Sequence, residues 1–585
     1  MTNRRASLLL ALAATVALAA CDREPEATPA DATAPPATAD ATMHDFQPAI
    51  TAGDFSQMVQ VLASDEFEGR APGSPGGEKT VEYIRDQFER IGLEPGIDGQ
   101  WFQTVPMVQT TADESTVLVV QPSEGESREL AFGEQMVLNT RSGETAVKVE
   151  DSELVFVGYG VNAPEQDWND YEGVDVAGKT VVILVNDPGF HAGDDALFEG
   201  NRMTYYGRWT YKYEEAARQG AEAALIIHDT PGASYGWDVV RNSWSGPQFD
   251  LRPEDDPEKR LPAQGWITAE VAEQLFADAG LDLGAMYEAA GKRGFEPVPL
   301  NATVSFDLSS TIEEKSSRNV VGVLPGTEAP DEAIVYTAHW DHLGKHEGEG
   351  DQIYNGAVDN ATGVAGMIEI AGAFAAQQPA PARSVAFVAV TLEESGLLGS
   401  KYYVAHPAFP MASTVAAINL DAMSVSGASR DMVVVGKGSS ELEDILGTIA
   451  TEQQRTLVEE SNPAGGFYFR SDHFNFAKAG VPALYAEGGE DLVDGGTEAG
   501  QAAGEDYTAK RYHKPDDEFS EDWDLAGVIQ DLEALYAVGR QVAGSNTWPE
   551  WREGNAFRAT REASRAGAGA AEATDTDATG EADAG

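Results

Sequence analysis

From Asn319 onward, short runs of apolar and often β-branched residues alternate with stretches of helical periodicity. Strand candidates fall at Asn319 to Leu324, Ile334 to Thr337, Ser384 to Thr391, Ala416 to Leu420, Met432 to Val435 and Ala483 to Tyr485. Helical patterns lie among them at 361–377, 397–406, 439–452 and 524–543. The strand runs are apolar throughout, so both faces of the sheet they build need cover, and the alternating segments supply it. The expected fold class is α/β: a mixed, mostly parallel sheet with helices on both faces. Sheets of this kind bind ligands beyond the carboxyl ends of their strands. That is where this sequence puts its polar residues.

Ile334 to Thr337 runs into Ala338-His339-Trp340-Asp341, and Asp359 follows just before a helix with Val364, Met367, Ile368, Ala371 and Phe374 on one side. Ser384 to Val390 runs into Glu393 and Glu394, and Ala416 to Leu420 into Asp421. Ser471-Asp472-His473 and Tyr512-His513-Lys514 come later. Adjacent carboxylates after a buried strand are costly unless paired or metal-bound. His339, Asp359, Glu394, Asp421 and His513 suit two divalent ions that share one carboxylate, and mixed nitrogen and oxygen donors favour zinc over calcium or magnesium. His339 and Asp341 are two residues apart, so on an extended chain both point to one side and Asp341 can orient the imidazole. Glu393 and Glu394 point apart as neighbours, so one can bind metal while the other serves as general base.

The chain has 585 residues, with 39 Lys and Arg against 97 Asp and Glu, a net charge of -58. Such a surface repels phosphate backbones, which argues against nucleic-acid partners. At the N-terminus Arg4 and Arg5 precede an apolar run, Leu8 to Ala17, too short to cross a bilayer. It ends in Leu18-Ala19-Ala20-Cys21, and Cys21 is the sole cysteine of the chain. This resembles a bacterial lipobox, so 1–21 is expected to be a lipoprotein signal peptide with lipid on Cys21. Residues 22–44, rich in Ala, Pro, Thr and acid, are expected to be a disordered tether, and 551–585 a mostly disordered acidic tail.

Residues 45–150 open with two amphipathic helices, one carrying Phe55, Met58, Val59 and Leu62, the other Val81, Ile84, Phe88 and Ile91. Short strand candidates follow at Thr116 to Val120, Glu129 to Phe132 and Ala146 to Val149. Over 151–298 the texture changes: LVFVGYGV, KTVVILVND and AEAALIIHD are strong strand runs around a helical EEAARQG. The aromatic residues Tyr205, Tyr206, Trp209, Tyr211 and Tyr213 fit a core better than a substrate wall. The pattern resembles the protease-associated domain, a β-rich insert that carries no catalysis.

AHWDHLG, GAVDNATGVA, TLEESGLLGS, NLDAMS, RSDHFNFAKAGVPAL and YHKPDDE together resemble the co-catalytic zinc aminopeptidases. This is the family of bacterial leucyl aminopeptidase and aminopeptidase Y, to which glutamate carboxypeptidase II is related. The resemblance spans about 45–544, with 299–550 as the catalytic zinc peptidase domain. It implies two zinc ions: His339 and Asp421 on one, Glu394 and His513 on the other, Asp359 bridging. It further implies Glu393 as general base, Asp341 as orienter, and a cis peptide bond after Asp359. Tyr468, Arg470 and His473 are the substrate-binding candidates.

The implied activity is removal of N-terminal residues from peptides. A carboxypeptidase or dipeptidase of the same family is the alternative, and an inactive receptor-like binding lipoprotein a further one. The expected location is the periplasmic side of a bacterial membrane.

Overall fold

The structure is a computed structural model and describes residues 44–567, except 195 and 257. Cys21, the expected signal peptide, the tether as far as residue 43 and the tail beyond 567 lie outside the described residues.

One long strand organises the molecule. β1 (Val298–Leu324) is 27 residues long, and its two halves belong to different sheets. Its C-terminal end pairs antiparallel with β3 (Arg383–Val390), placing Val320 opposite Ala389. β3 runs parallel to β2 (Ala329–His339), β2 to β4 (Thr414–Asn419), and β4 to β6 (Ala483–Gly488). β5 (Asp431–Val434) follows antiparallel to β6, and Thr456–Glu459 lies parallel to β5 at that side. On the opposite side Phe102–Ala112 pairs antiparallel with β1. The mixed, mostly parallel sheet expected from the alternation is therefore present.

Its two faces bury different residues, as strand alternation requires. Ile334, Tyr336, Ala338, Phe387 and Ala389 pack beneath the helices Ala52–Leu62 and Pro75–Ile91, α1 (Gly363–Ala376) and a C-terminal helix, Ala526–Ala543. Val335, Ala386, Val388, Val390 and Ala417 face the other way, toward Tyr403, Phe474 and Phe476. Every residue of β3 and of β4 is buried.

The N-terminal half of β1 enters a second sheet. There Ala146–Phe156, Thr180–Leu184, Ala223–Ile227 and Ala263–Ile267 run parallel to one another in that order. Val117–Pro122 pairs with β1 and Met136–Asn139 with Ala263–Ile267. These two strands fall within 45–150, the stretch assigned from sequence to the peptidase part, yet their hydrogen bonds are to the second sheet. Tyr206, Tyr211 and Tyr213 are buried in this module.

The expected disordered tail also needs correction where it is described. Trp551 and Phe557 are buried against the first sheet, and Arg561 donates to the carbonyls of Met411 and Thr414. Large apolar residues here find a face to cover, which the acidic composition farther along concealed.

Candidate metal centre

The polar residues converge beyond the carboxyl ends of the parallel strands. β2 ends at His339, β3 delivers Glu393 and Glu394, and β4 delivers Asp421. Asp359 lies in a π-helical turn, Ala357–Thr362, that leads into α1, and the Asp359–Asn360 bond is cis. His513 follows the helix Gly496–Lys510.

Distances divide the donors into two sets. His339 Nε2 lies 3.1 Å from Asp421 Oδ1 and 3.3 Å from Asp359 Oδ1. His513 Nε2 lies 3.3 Å from Asp359 Oδ2 and 3.2 Å from Glu394 Oε2. Each oxygen of Asp359 thus faces a different imidazole. Glu393 Oε2 is 4.0 Å from His339 Nε2, beside the first set.

A second layer fixes these groups. Ser471 donates its hydroxyl to Asp421 Oδ2 at 2.6 Å and accepts from Asn419 Nδ2 at 2.7 Å. Asp517 accepts the backbone N–H groups of Val358 and Asp359, each at 3.1 Å. Asn360 bridges to β4: Nδ2 donates to the Leu420 carbonyl, and Oδ1 accepts from Gly363 and Ala422 N–H. Buried Arg70 donates to the carbonyls of Leu62, Trp340, Asn355 and Gly356, so the N-terminal segment holds the site loops. His342 places Nδ1 2.6 Å from Glu394 Oε1.

Asp341 holds its partner differently from the sequence expectation. His339 Nδ1 donates to the backbone carbonyl of Asp341 at 3.1 Å, whereas the Asp341 carboxylate accepts the N–H of Glu393 at 3.2 Å. β2 ends at His339, so the two-residue periodicity no longer applies by Asp341. The orienting group is the main chain, and the side chain positions Glu393.

Two substrate-binding candidates also move. His473 is fully buried, its ring 4.6 Å from that of Tyr468 and 5.3 Å from that of Tyr485, and burial pushes its pKa down to about 3. Tyr468 is buried too, packed against Gly436. Both are enclosed by neighbouring rings and backbone, away from the cleft wall that carries Glu393. Arg470 does line the cleft, a cavity of about 340 Å³ whose wall also includes Glu393, Glu394 and Tyr512. The second sheet's module supplies the facing wall with Arg208, Trp209 and Tyr213.

The electrostatics describe a cation site. Although burial opposes it, the Glu393, Asp421 and Asp359 carboxylates hold His339 well above the usual imidazole range. Against the same penalty, Asp359 and Glu394 lift His513 to about 10. Burial raises Glu393 well above the usual carboxylate range, offset in part by His339. Ligand bonds of about 2.0 Å at a tetrahedral zinc place neighbouring donor atoms roughly 3.3 Å apart. The four separations of 3.1 to 3.3 Å between imidazole nitrogens and carboxylate oxygens match that value. The donor set fits zinc on both sides of Asp359.

Residues 319–537 match the pattern of Peptidase family M28. Over 144 residues the chain is 31% identical to aminopeptidase NAALADL1 of Mus musculus, covering 23% of this chain but only 18% of that protein. A probable zinc metalloprotease of Pyrenophora tritici-repentis (strain Pt-1C-BFP) is 26% identical over 228 residues, 38% of this chain and 47% of that one. Among solved structures, an aminopeptidase from Aneurinibacillus sp. strain AM-1 is 20% identical, with TM-score 0.46, covering 85% of this chain and 95% of the other.

Proposed function

We propose that this chain, whose residues 319–537 match the pattern of Peptidase family M28, is a two-zinc exopeptidase that releases N-terminal residues from peptides. The observation that carries this is the donor spacing, with Asp359 facing one imidazole through each oxygen. His339, Asp421 and Asp359 would hold one ion, and His513, Glu394 and Asp359 the other. Bound zinc would lower the pKa of a shared water and polarise the scissile carbonyl.

The chain's own residues do the rest. Glu393 lies beside the first donor set, its Oε2 4.0 Å from His339 Nε2, and is not among the ligands, as suits a general base. Its carboxylate takes the proton of the attacking water as the carbon–oxygen bond forms. It then returns that proton to the leaving amine as the carbon–nitrogen bond breaks. The Asp341 carboxylate keeps Glu393 in place through its N–H. Arg208, Trp209 and Arg470 narrow the approach to the centre. The lipobox at Cys21 supports a lipid-anchored enzyme on the periplasmic side of a bacterial membrane, and the glycine-flanked strands of 151–298 support a protease-associated insert.

A carboxypeptidase or dipeptidase reading has its own support. Arg208 and Arg470 line the cleft. Among the described residues Arg208 Nε is buried without a hydrogen-bond partner, and burial together with Arg470 lowers its pKa to about 10. Two such guanidinium groups suit a substrate α-carboxylate. One library decides between them: peptides free at both ends, N-acetylated, or C-amidated, each given to the zinc-loaded enzyme and to enzyme treated with a strong chelator. An aminopeptidase is blocked by acetylation, a carboxypeptidase by amidation and a dipeptidase by either. Hydrolysis that survives chelation sinks the metallopeptidase reading.

A further inference from the structure

The ligand pattern leaves one imidazole of the centre unused. His342 is fully buried, and its Nδ1 lies 2.6 Å from Glu394 Oε1. That contact is a hydrogen-bond distance. It is well inside the 3.1 to 3.3 Å that separates the donor atoms around Asp359. Two atoms bound to one zinc do not approach so closely. His342, Asp359 and Glu394 lie close enough together to hold an ion, but with Glu394 Oε2 facing His513, the short contact to Oε1 fits a hydrogen bond from behind the ligands.

Its ring has little room to swing. A Cβ built on Gly356 would fall 2.5 Å from His342 Cδ2 and 2.6 Å from Cγ, so the Gly356 backbone lies directly on the imidazole. Gly356 has a φ of 54°, and Arg70 Nη2 donates to its carbonyl at 2.7 Å. On another side the His513 ring stands edge-on, 5.7 Å between centroids.

We propose that His342 is a positioning residue for the second metal site: Nδ1–H donates to Glu394 Oε1 and leaves Oε2, the atom facing His513, as the single Glu394 donor. A carboxylate held at one oxygen cannot rotate away or present both oxygens, so the ordering cost of binding is met before the ion arrives. Ser471 holds Oδ2 of Asp421 in the same relation to the His339 side. The proposal rests on the two-zinc reading above and adds to it a residue that should set how tightly the second ion is held.

The test compares wild type, His342→Ala and His342→Asn in full-length protein, by zinc titration against a competing chelator and by elemental analysis. Both variants lose the ring and leave a similar space, but the Asn amide retains a donor close to where Nδ1 stood. Wild type should bind two ions. His342→Ala should bind the first as wild type does and the second roughly 10–100-fold more weakly, the usual effect of removing such a partner. His342→Asn should stay within a few-fold of wild type at both sites. Melting of the metal-free proteins checks that the variants fold alike. Equal weakening in Asn and Ala, or no weakening in either, overturns the positioning role. Fewer than two ions on wild type overturns the two-zinc reading, and this proposal with it.

Discussion

Glu393 and Glu394 are neighbours in sequence but face different histidines, and the backbone ahead of them redirects the chain. Leu392 has a φ of 58°, a left-handed conformation that non-glycine residues rarely adopt, and it redirects the chain as it leaves β3. Glu394 then faces His513 while Glu393 stays near His339. Glu393→Gln should keep both zinc ions and lose on the order of 10²–10⁴ in kcat, because it removes a base and no ligand. Asp359→Ala should lose zinc, since one carboxylate serves both sides. Zinc content and the rate on a leucyl chromogenic substrate separate these outcomes, and a near-normal rate in Glu393→Gln would remove it from the mechanism. His339, Glu394 and Asp421 were legible because they follow apolar strand runs, whereas Asp359, in a turn before α1, and His513, after a helix, rested on the resemblance of GAVDNATGVA and YHKPDDE. Their supports were not legible. Asp517 holds the N–H of Asp359 from 158 residues away, and no local pattern announces such a pairing. His342 stood inside the quoted AHWDHLG, but only the fold reveals that it meets Glu394. His473 misled in the opposite sense: a histidine beside an aspartate reads as chemistry until its burial is seen.

At the scale of elements, the alternation of strands and helices carried most of the fold, since each strand core is apolar enough to be recognised alone. β1 escaped as a single strand because Ser309 to Ser317 is polar and reads as a loop, whereas it is the bridge by which one strand serves two sheets. α1 holds a cost that periodicity did not flag. Glu369 lies within it among apolar neighbours, accepts the Thr51 N–H at 2.7 Å, and is pushed up to about 8 by burial. The folded chain therefore keeps a proton that the unfolded chain releases above pH 4.5. Stability from this group is fully present below that pH and is lost as pH rises through about 8. Glu369→Gln, neutral at every pH, should flatten the fall of Tm across this window and melt higher than wild type at pH 8. Parallel Tm–pH curves for the two proteins would show that the carboxyl is not protonated in the fold.

Across the whole molecule, the module built on the second sheet walls one side of the cleft, and charge ties it to the peptidase sheet. Lys401 reaches Asp256 at 2.8 Å and Glu258 at 3.2 Å. Lys478 reaches Glu214 at 3.0 Å and also meets Glu258. All five residues contribute to the cleft wall that includes Glu393. In a chain of net charge -58, the lysines are the nearest cations to Glu214 and Glu258, while Asp256 also pairs with Arg260 at 2.6 Å. The two lysine side chains are each 19% exposed, so the pairs are screened less than surface pairs but more than core ones. Replacing both lysines by Met removes the nearest cation from Glu214 and Glu258, leaving Arg260 on Asp256, and should loosen the cleft wall. KM for peptides should rise on the order of ten-fold, equivalent to about 1.4 kcal/mol, with zinc content unchanged and kcat affected far less. The loss of these pairs should make the difference sensitive to ionic strength. Salt near 1 M, where the screening length is about 3 Å, should narrow the gap by weakening the wild-type pairs. Limited proteolysis gives an independent measure, with faster cutting expected where chain passes between the two sheets. An unchanged KM at both salt concentrations would mean that apolar packing alone seats the module, and that the lysines only neutralise acids already held in place.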